Sequence, residues 1–235
     1  MLRSFIIVLV VLPLLGCGQT DTHSFIKIII LKPDTAIIDK TLRNDIDSIE
    51  IAHLKSYYTC AKGSGAFEKD FSSSKYPTLE SLKQDECFFN LPTEVRQFKF
   101  FHLISEYSKQ VYEFYFNQKQ SPAEIVEMPS EHTDLSSLKK LAKNSKGDYI
   151  VFFRNIHTAI KDSLPVLRMT TLVYSCGEHR LIVDKEIESS ITNKMISPEE
   201  SSVMWNCNAY IKLQCLLVNS VRSSTELVWE LLVGR

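Results

Sequence analysis

The chain has 235 residues, 44% of them hydrophobic, with 27 basic and 28 acidic side chains and a formal net charge of −1. That length suits a leader followed by one domain, and the apolar fraction is ordinary for a globular protein with a real core. The charge pattern reads as containing no basic block for nucleic acid and no cationic amphipathic helix for anionic lipid, which argues against nucleic acid as a partner.

The first element is "MLRSFIIVLVVLPLLGCG". Arg3 and the apolar run from Phe5 to Leu15 have the shape of a charged n-region and an h-region of secretory length. The run is shorter than the ~20 residues of a transmembrane helix, and Pro13 interrupts it. Its end, Leu14-Leu15-Gly16-Cys17, resembles the lipobox of bacterial lipoproteins. The resemblance implies a diacylglyceryl group on the Cys17 thiol, cleavage before Cys17 and a third acyl chain on the new amino terminus. It divides the chain into a signal peptide (1–16), a lipidated tether (17–23) and a single domain (24–235). Because one acyl chain binds only marginally at about 0.8 kcal/mol per buried methylene, three on one residue make anchoring firm. Gly18 rather than Asp follows the cysteine, which by resemblance to enteric lipoproteins implies the outer membrane, facing the periplasm.

With Cys17 acylated, five thiols remain: Cys60, Cys87, Cys176, Cys207 and Cys215. The odd number leaves at least one unpaired in a compartment that permits disulfides. Cys60 and Cys87 bracket a polar loop and are the expected pair. Cys207 and Cys215, in an apolar helical stretch, read as small core residues.

In the domain, "SFIKIIILKP" (24–33) is β-branched and almost continuously apolar, which predicts a buried strand. "DIDSIEIAHLKSYY" (45–58) has helical spacing at Ile46, Ile49, Leu54 and Tyr57. Residues 60–93 show no sustained period and read as a long polar insertion. "EVRQFKFFHLISEYSKQVYEFYF" (94–116) predicts one amphipathic helix whose aromatic residues belong to the core rather than to a sugar-stacking surface. "AEIVEMP" (123–129) reads as a strand. "HTDLSSLKKLAKNSKGD" reads as a helix capped by Asp134 or Thr133 and ended by a left-handed Gly147. "DYIVFFRNI" predicts a buried strand, and residues 164–190 two alternating strands about a turn at Cys176-Gly177. Ser197, Pro198 and Glu200 form a capping-box pattern opening a final buried helix. "TELVWELLV" (225–233) reads as a separate closing helix or strand.

These elements predict an α/β (α+β) fold: a mixed sheet of about five strands with helices packed on its faces, and an insertion between the first helix and the aromatic one. The phrase "DLSSLKKLAKNSKGDYIVF", with its L-x-x-L-A helix and Gly147-Asp148-Tyr149 strand start, resembles the curli-secretion lipoprotein, the amino-terminal domain of TolB and the lipoprotein activators of penicillin-binding proteins. The resemblance implies an accessory protein without catalytic function.

No G-x-S-x-G nucleophile elbow is present, and "GSG" (63–65) lacks the setting of a phosphate loop. His23, His53, His102, His132, His157 and His179 are scattered and read as surface or satisfied core residues; Asp45, Asp47, Glu199 and Glu200 read as solvated helix-start carboxylates. No catalytic residue, metal ligand or cofactor site is expected. The sequence therefore predicts a lipid-anchored envelope protein with a non-catalytic, protein-binding or assembly role. The alternatives are a periplasmic ligand- or glycan-binding lipoprotein and, below that, a hydrolase whose site is assembled from distant positions.

Overall fold

The computed structural model describes residues 25–57, 78–118, 123–129, 134–191 and 212–233. Cys17, Cys60 and Cys207, the side chain of Cys87, and the cap at Ser197 lie outside the described residues. Five strands form one mixed sheet: β1 (Ile26–Leu31), β2 (Ala123–Met128), β3 (Tyr149–Lys161), β4 (Leu164–Ser175) and β5 (Arg180–Ser190), in the order β2-β1-β3-β4-β5. β1 is parallel to both β2 and β3, while β3, β4 and β5 form an antiparallel meander. The helices are α1 (Arg43–Tyr57), α2 (Leu79–Lys83), α3 (Glu86–Phe89), α4 (Thr93–Arg96), α5 (Leu103–Gln118), α6 (Leu135–Ser145) and α7 (Lys212–Leu232). This is the predicted mixed sheet of five strands with helices on its faces.

The apolar run of β1 follows from its place. Flanked by strands on both sides and covered on both faces, it has no solvent side on which to put a polar residue. Ile28 and Ile30 point into the larger core, with α1, α5 and α7, and Ile29 and Leu31 into the smaller one, under α6. The aromatic residues of α5 do belong to the core: Tyr107, Tyr112 and Phe116 are buried with Leu103, Ile104 and Val111, at steps of three to five. On β5, Val183, Ile187 and Ser189 are buried while Asp184, Glu186 and Glu188 face solvent, the expected alternation except at Lys185, which is exposed.

Four local expectations are corrected. The segment 94–116 is not one helix: α4 ends at Arg96, non-helical residues Phe98 and Lys99 follow, with Lys99 extended, and a 3-10 turn (Phe100–His102) leads into α5. The later half of the supposed insertion has structure of its own, since Leu82, Leu91 and Val95 from α2–α4 pack with Leu54 of α1 as a third apolar cluster. Residues 225–233 do not form a separate element; through Leu232 they continue α7, whose buried residues run from Leu213 to Val228. Cys215 is disulfide-bonded rather than a plain core thiol. Cys176 is free and buried.

At α6 the Asp134 cap is as expected, its carboxylate accepting from the Ser136 and Ser137 amides at 2.9 and 3.1 Å. The left-handed residue is Lys146 (φ 52°), not Gly147. Glycine is required at 147 for a different reason: a Cβ there would lie 2.5 Å from Ile29 Cδ1 and 3.0 Å from Cγ1. Gly147→Ala is therefore expected to destabilise by about 1–3 kcal/mol through overpacking. Ile29→Val, which removes the clashing methyl, should recover part of that loss. A double-mutant cycle in urea measures the coupling, and strict additivity would show that the close approach is harmless.

Candidate functional site

Two neighbouring parallel strands send their chains to opposite faces of the sheet. β1 continues into α1 and the helices of the larger core, whereas β2 continues into α6 on the other face. Divergence of adjacent exits opens a crevice at the carboxyl ends of the strands, where open α/β sheets bind ligands. A cleft of about 430 Å³ lies here. Lys32 follows β1, Glu127 sits near the end of β2, and His102 and Glu106 come from the start of α5. His53 of α1 and Phe98, from the non-helical link between α4 and α5, are also on its wall.

The side chains are held by specific contacts. Phe98 stacks on the His53 ring with centroids 3.6 Å apart at 12°, and meets the His102 ring edge-on at 5.9 Å. The Lys99 amide donates to His102 Nδ1 at 3.3 Å, which places the ring proton of the neutral imidazole on Nε2. The Ser105 hydroxyl donates to Glu127 Oε1 at 2.7 Å, and Lys32 Nζ lies 3.6 Å from the same oxygen. Glu94 and Glu113 add to Glu106 and Glu127, so four carboxylates face two lysines, Lys32 and Lys109. Among the described residues no group of three or more His, Cys, Asp or Glu side chains is arranged to hold a metal ion.

Burial, then the Lys32 charge, lowers the pKa of His102 from 6.5 to about 4, and the same causes lower that of His53. Burial, then Glu127, raises that of Glu106 above 4.5. The histidines bind protons more readily unfolded, so the fold is expected to lose stability as pH falls from 6.5 towards 4. Glu106 acts with the opposite sign, because its folded form takes up a proton first and regains stability as pH falls through its raised value. His102→Gln should thus flatten the acid side of the stability curve. Urea midpoints at about pH 7 and about pH 5 test this; an unchanged difference between them would remove His102 as the cause.

The cleft combines residues that the sequence reading had dispersed. His53 and His102 come together as part of one site, while His157 lies away from it with Nδ1 2.8 Å from the Asn155 carbonyl. Asp45 is more than a solvated carboxylate: its Oδ2 accepts from the Leu213 amide at 2.9 Å, so α1 caps the start of α7. The aromatic face of α5 offers little to a sugar, since only Phe114 and Tyr115 are half-buried beside fully buried Tyr107, Tyr112 and Phe116.

No protein-family model matches the chain, and no curated protein matches its sequence. Partial likenesses occur among solved structures. PelC of Paraburkholderia phytofirmans, described as a dodecamer, is 8% identical over 83% of this chain and 89% of its own, with a TM-score of 0.31. A hypothetical protein of Chlamydia trachomatis is 9% identical over 59% and 88%, at a TM-score of 0.36. A DUF330-family protein of Xanthomonas campestris is 11% identical over 59% and 64%, at 0.30. Likenesses this weak carry no argument about function, and none of the three is described as a curli-secretion, TolB or penicillin-binding-protein-activating protein.

Proposed function

We propose that this chain is a bacterial envelope lipoprotein, attached through Cys17 to the outer membrane on its periplasmic side, that works by binding other proteins rather than by catalysis. The observation that carries the reading is the leader: a basic n-region, a short apolar run, and Gly16-Cys17 at its end. The first strand begins at Ile26, so the leader and the tether precede the sheet without overlapping it. Palmitate labelling with membrane fractionation, comparing wild type with Cys17→Ala, is the test. Label and membrane recovery that both depend on Cys17 support the anchor, and an unlabelled soluble wild type overturns it.

The cleft favours a second reading, in which the tethered domain holds a small ligand. Its surplus of carboxylates and the ring of Tyr57 on its wall suit a ligand with amino or other cationic groups. Ligand-dependent quenching of tyrosine emission, lost on replacing Glu127 by Gln, would favour this over a purely protein-binding role.

A further inference from the structure

The outer face of α6 is cationic. Lys139, Lys140, Lys143 and Lys146 are all exposed, no acidic residue occurs between 135 and 147, and Leu138 and Ala142 face the opposite way into the smaller core. This overturns the sequence reading that no cationic amphipathic helix is present. None of the four lysines makes an ion pair with another described residue. Between α6 and the turn from β4 to β5 lies a groove of about 630 Å³, whose polar side chains are Lys139, Lys143, Lys146, His179 and a single carboxylate, Asp148. The acids nearby are engaged: Asp148 Oδ2 accepts the Lys27 amide at 2.8 Å, and Glu178 is held by Arg180 at 2.7 Å.

The position of this patch matters as much as its sign. α6 ends at the amino-terminal edge of β1 and β3, where the Asp148 amide meets the Lys27 carbonyl at 2.8 Å. The same edge carries Phe25, 60% exposed, the first described residue after the tether. Cys17 and Phe25 are eight residues apart, a contour of at most about 29 Å. The acidic cleft lies at the other, carboxyl edge of these strands. The chain is slightly acidic as a whole, yet its tethered end presents lysines with no ion pair among the described residues and an exposed aromatic ring, the combination that seats proteins on anionic bilayers.

We propose that the exposed face of α6 and the adjoining groove rest on the anionic surface of the bilayer that holds the anchor, with Phe25 at the headgroup boundary, so that the acidic cleft points away from the membrane. The chemistry recognised is the phosphate of lipid headgroups. The proposal rests on the Cys17 anchor for its geometry: a short tether keeps the patch at high effective concentration near the surface, so that an attraction worth about fivefold per lysine suffices to orient the domain.

The test is site-resolved acylation of lysines by a water-soluble reagent, read by mass spectrometry on the full lipidated protein. It is run in vesicles of phosphatidylcholine alone, in vesicles containing phosphatidylglycerol, and in detergent with inorganic phosphate. Protection of Lys139, Lys140, Lys143 and Lys146 only with phosphatidylglycerol, reversed by salt, and with Lys32 and Lys109 unaffected, is the expected result. Equal labelling in both vesicles overturns it, as does protection by inorganic phosphate alone, which would mark a small-anion site. A Lys139→Glu, Lys143→Glu, Lys146→Glu variant should keep its recovery with vesicles of either composition but lose the difference in exposure at Lys140. Wild type that fails to stay with phosphatidylcholine vesicles refutes the anchor instead, and salt-sensitive binding of that unanchored protein to phosphatidylglycerol vesicles would still uphold the patch.

Discussion

Cys17→Ala is expected to abolish palmitate incorporation and to remove all salt-resistant association with the outer-membrane fraction. The effect should be all-or-none, because the thiol is the proposed attachment point of the diacylglyceryl group and its acylation precedes cleavage of the leader. One acyl chain gives a membrane partition constant of only about 10⁴ M⁻¹, which dilution reverses; two or more make release negligible. Losing Cys17 would remove every chain at once. The cationic face of α6 could not replace them, since its attraction falls away within a Debye length of about 8–10 Å and is screened by salt. Membrane recovery of Cys17→Ala should therefore be salt-sensitive where that of wild type is not. A wild-type protein that is unlabelled and soluble after leader cleavage would return Cys17 to the thiol inventory, raise it to an even six, and reopen the reading as a secreted binding protein or enzyme.

Leu216→Asp is expected to prevent folding. Leu216 has no exposed surface and sits in the larger core, on a helix that packs against α5, β4 and β5. Leu216→Ala removes buried methyl groups and leaves a cavity, at a cost of about 2–5 kcal/mol. An ionised carboxylate at the same place adds a desolvation penalty of several kcal/mol with no partner to offset it. Total stabilities of about 5–15 kcal/mol leave little after both. Far-ultraviolet circular dichroism and protease resistance would read the outcome. A cooperatively folded Leu216→Asp protein would mean that α7 is not seated on the sheet as described.

The parts of the fold that were legible in the sequence are those where one physical constraint dominates. β1 must be apolar on both faces, β5 must alternate, and α6 needs a side-chain cap; each left a local mark in "IKIIIL", in residues 183–189 and in Asp134. The misreadings arose where tertiary contacts overrode local pattern. Residues 220–225, "SVRSST", look like a break in a helix, yet Ser220, Ser224 and Thr225 are buried. Small polar side chains there let α7 lie close to the sheet, and the Thr171 hydroxyl bonds that of Ser224 at 3.0 Å. Periodicity likewise carried the aromatic helix back through Phe98, which lies outside any helix and stacks on His53, 45 residues earlier.

The cleft was not legible for a related reason. Lys32, His53, His102, Glu106 and Glu127 span 96 positions and form no local motif. What joins them is the divergence of the chain at the ends of β1 and β2, a property of topology rather than of any short motif. The cationic face of α6 could have been found: Lys139, Lys143 and Lys146 fall at helical spacing beside the Leu138 and Ala142 stripe. The near-zero net charge of the whole chain concealed it.

The central place of β1 has a kinetic consequence. Its partners are far along the chain, Ile26 pairing with Ala123 and Ile28 with Tyr149, whereas β3, β4 and β5 pair through turns of a few residues. Pairings that close long loops lose more chain entropy before any contact rewards them, so they form late and set the pace. The strand next to the proposed anchor is therefore the one that must wait longest. On the proposed export route it reaches the envelope first; it stays unpaired until roughly 90 further residues have brought β2, and lacks its second neighbour until β3 follows. The interval between arrival of β1 and arrival of β3 is when this chain is most exposed to aggregation, and when a chaperone holding the region around Ile28 would matter most.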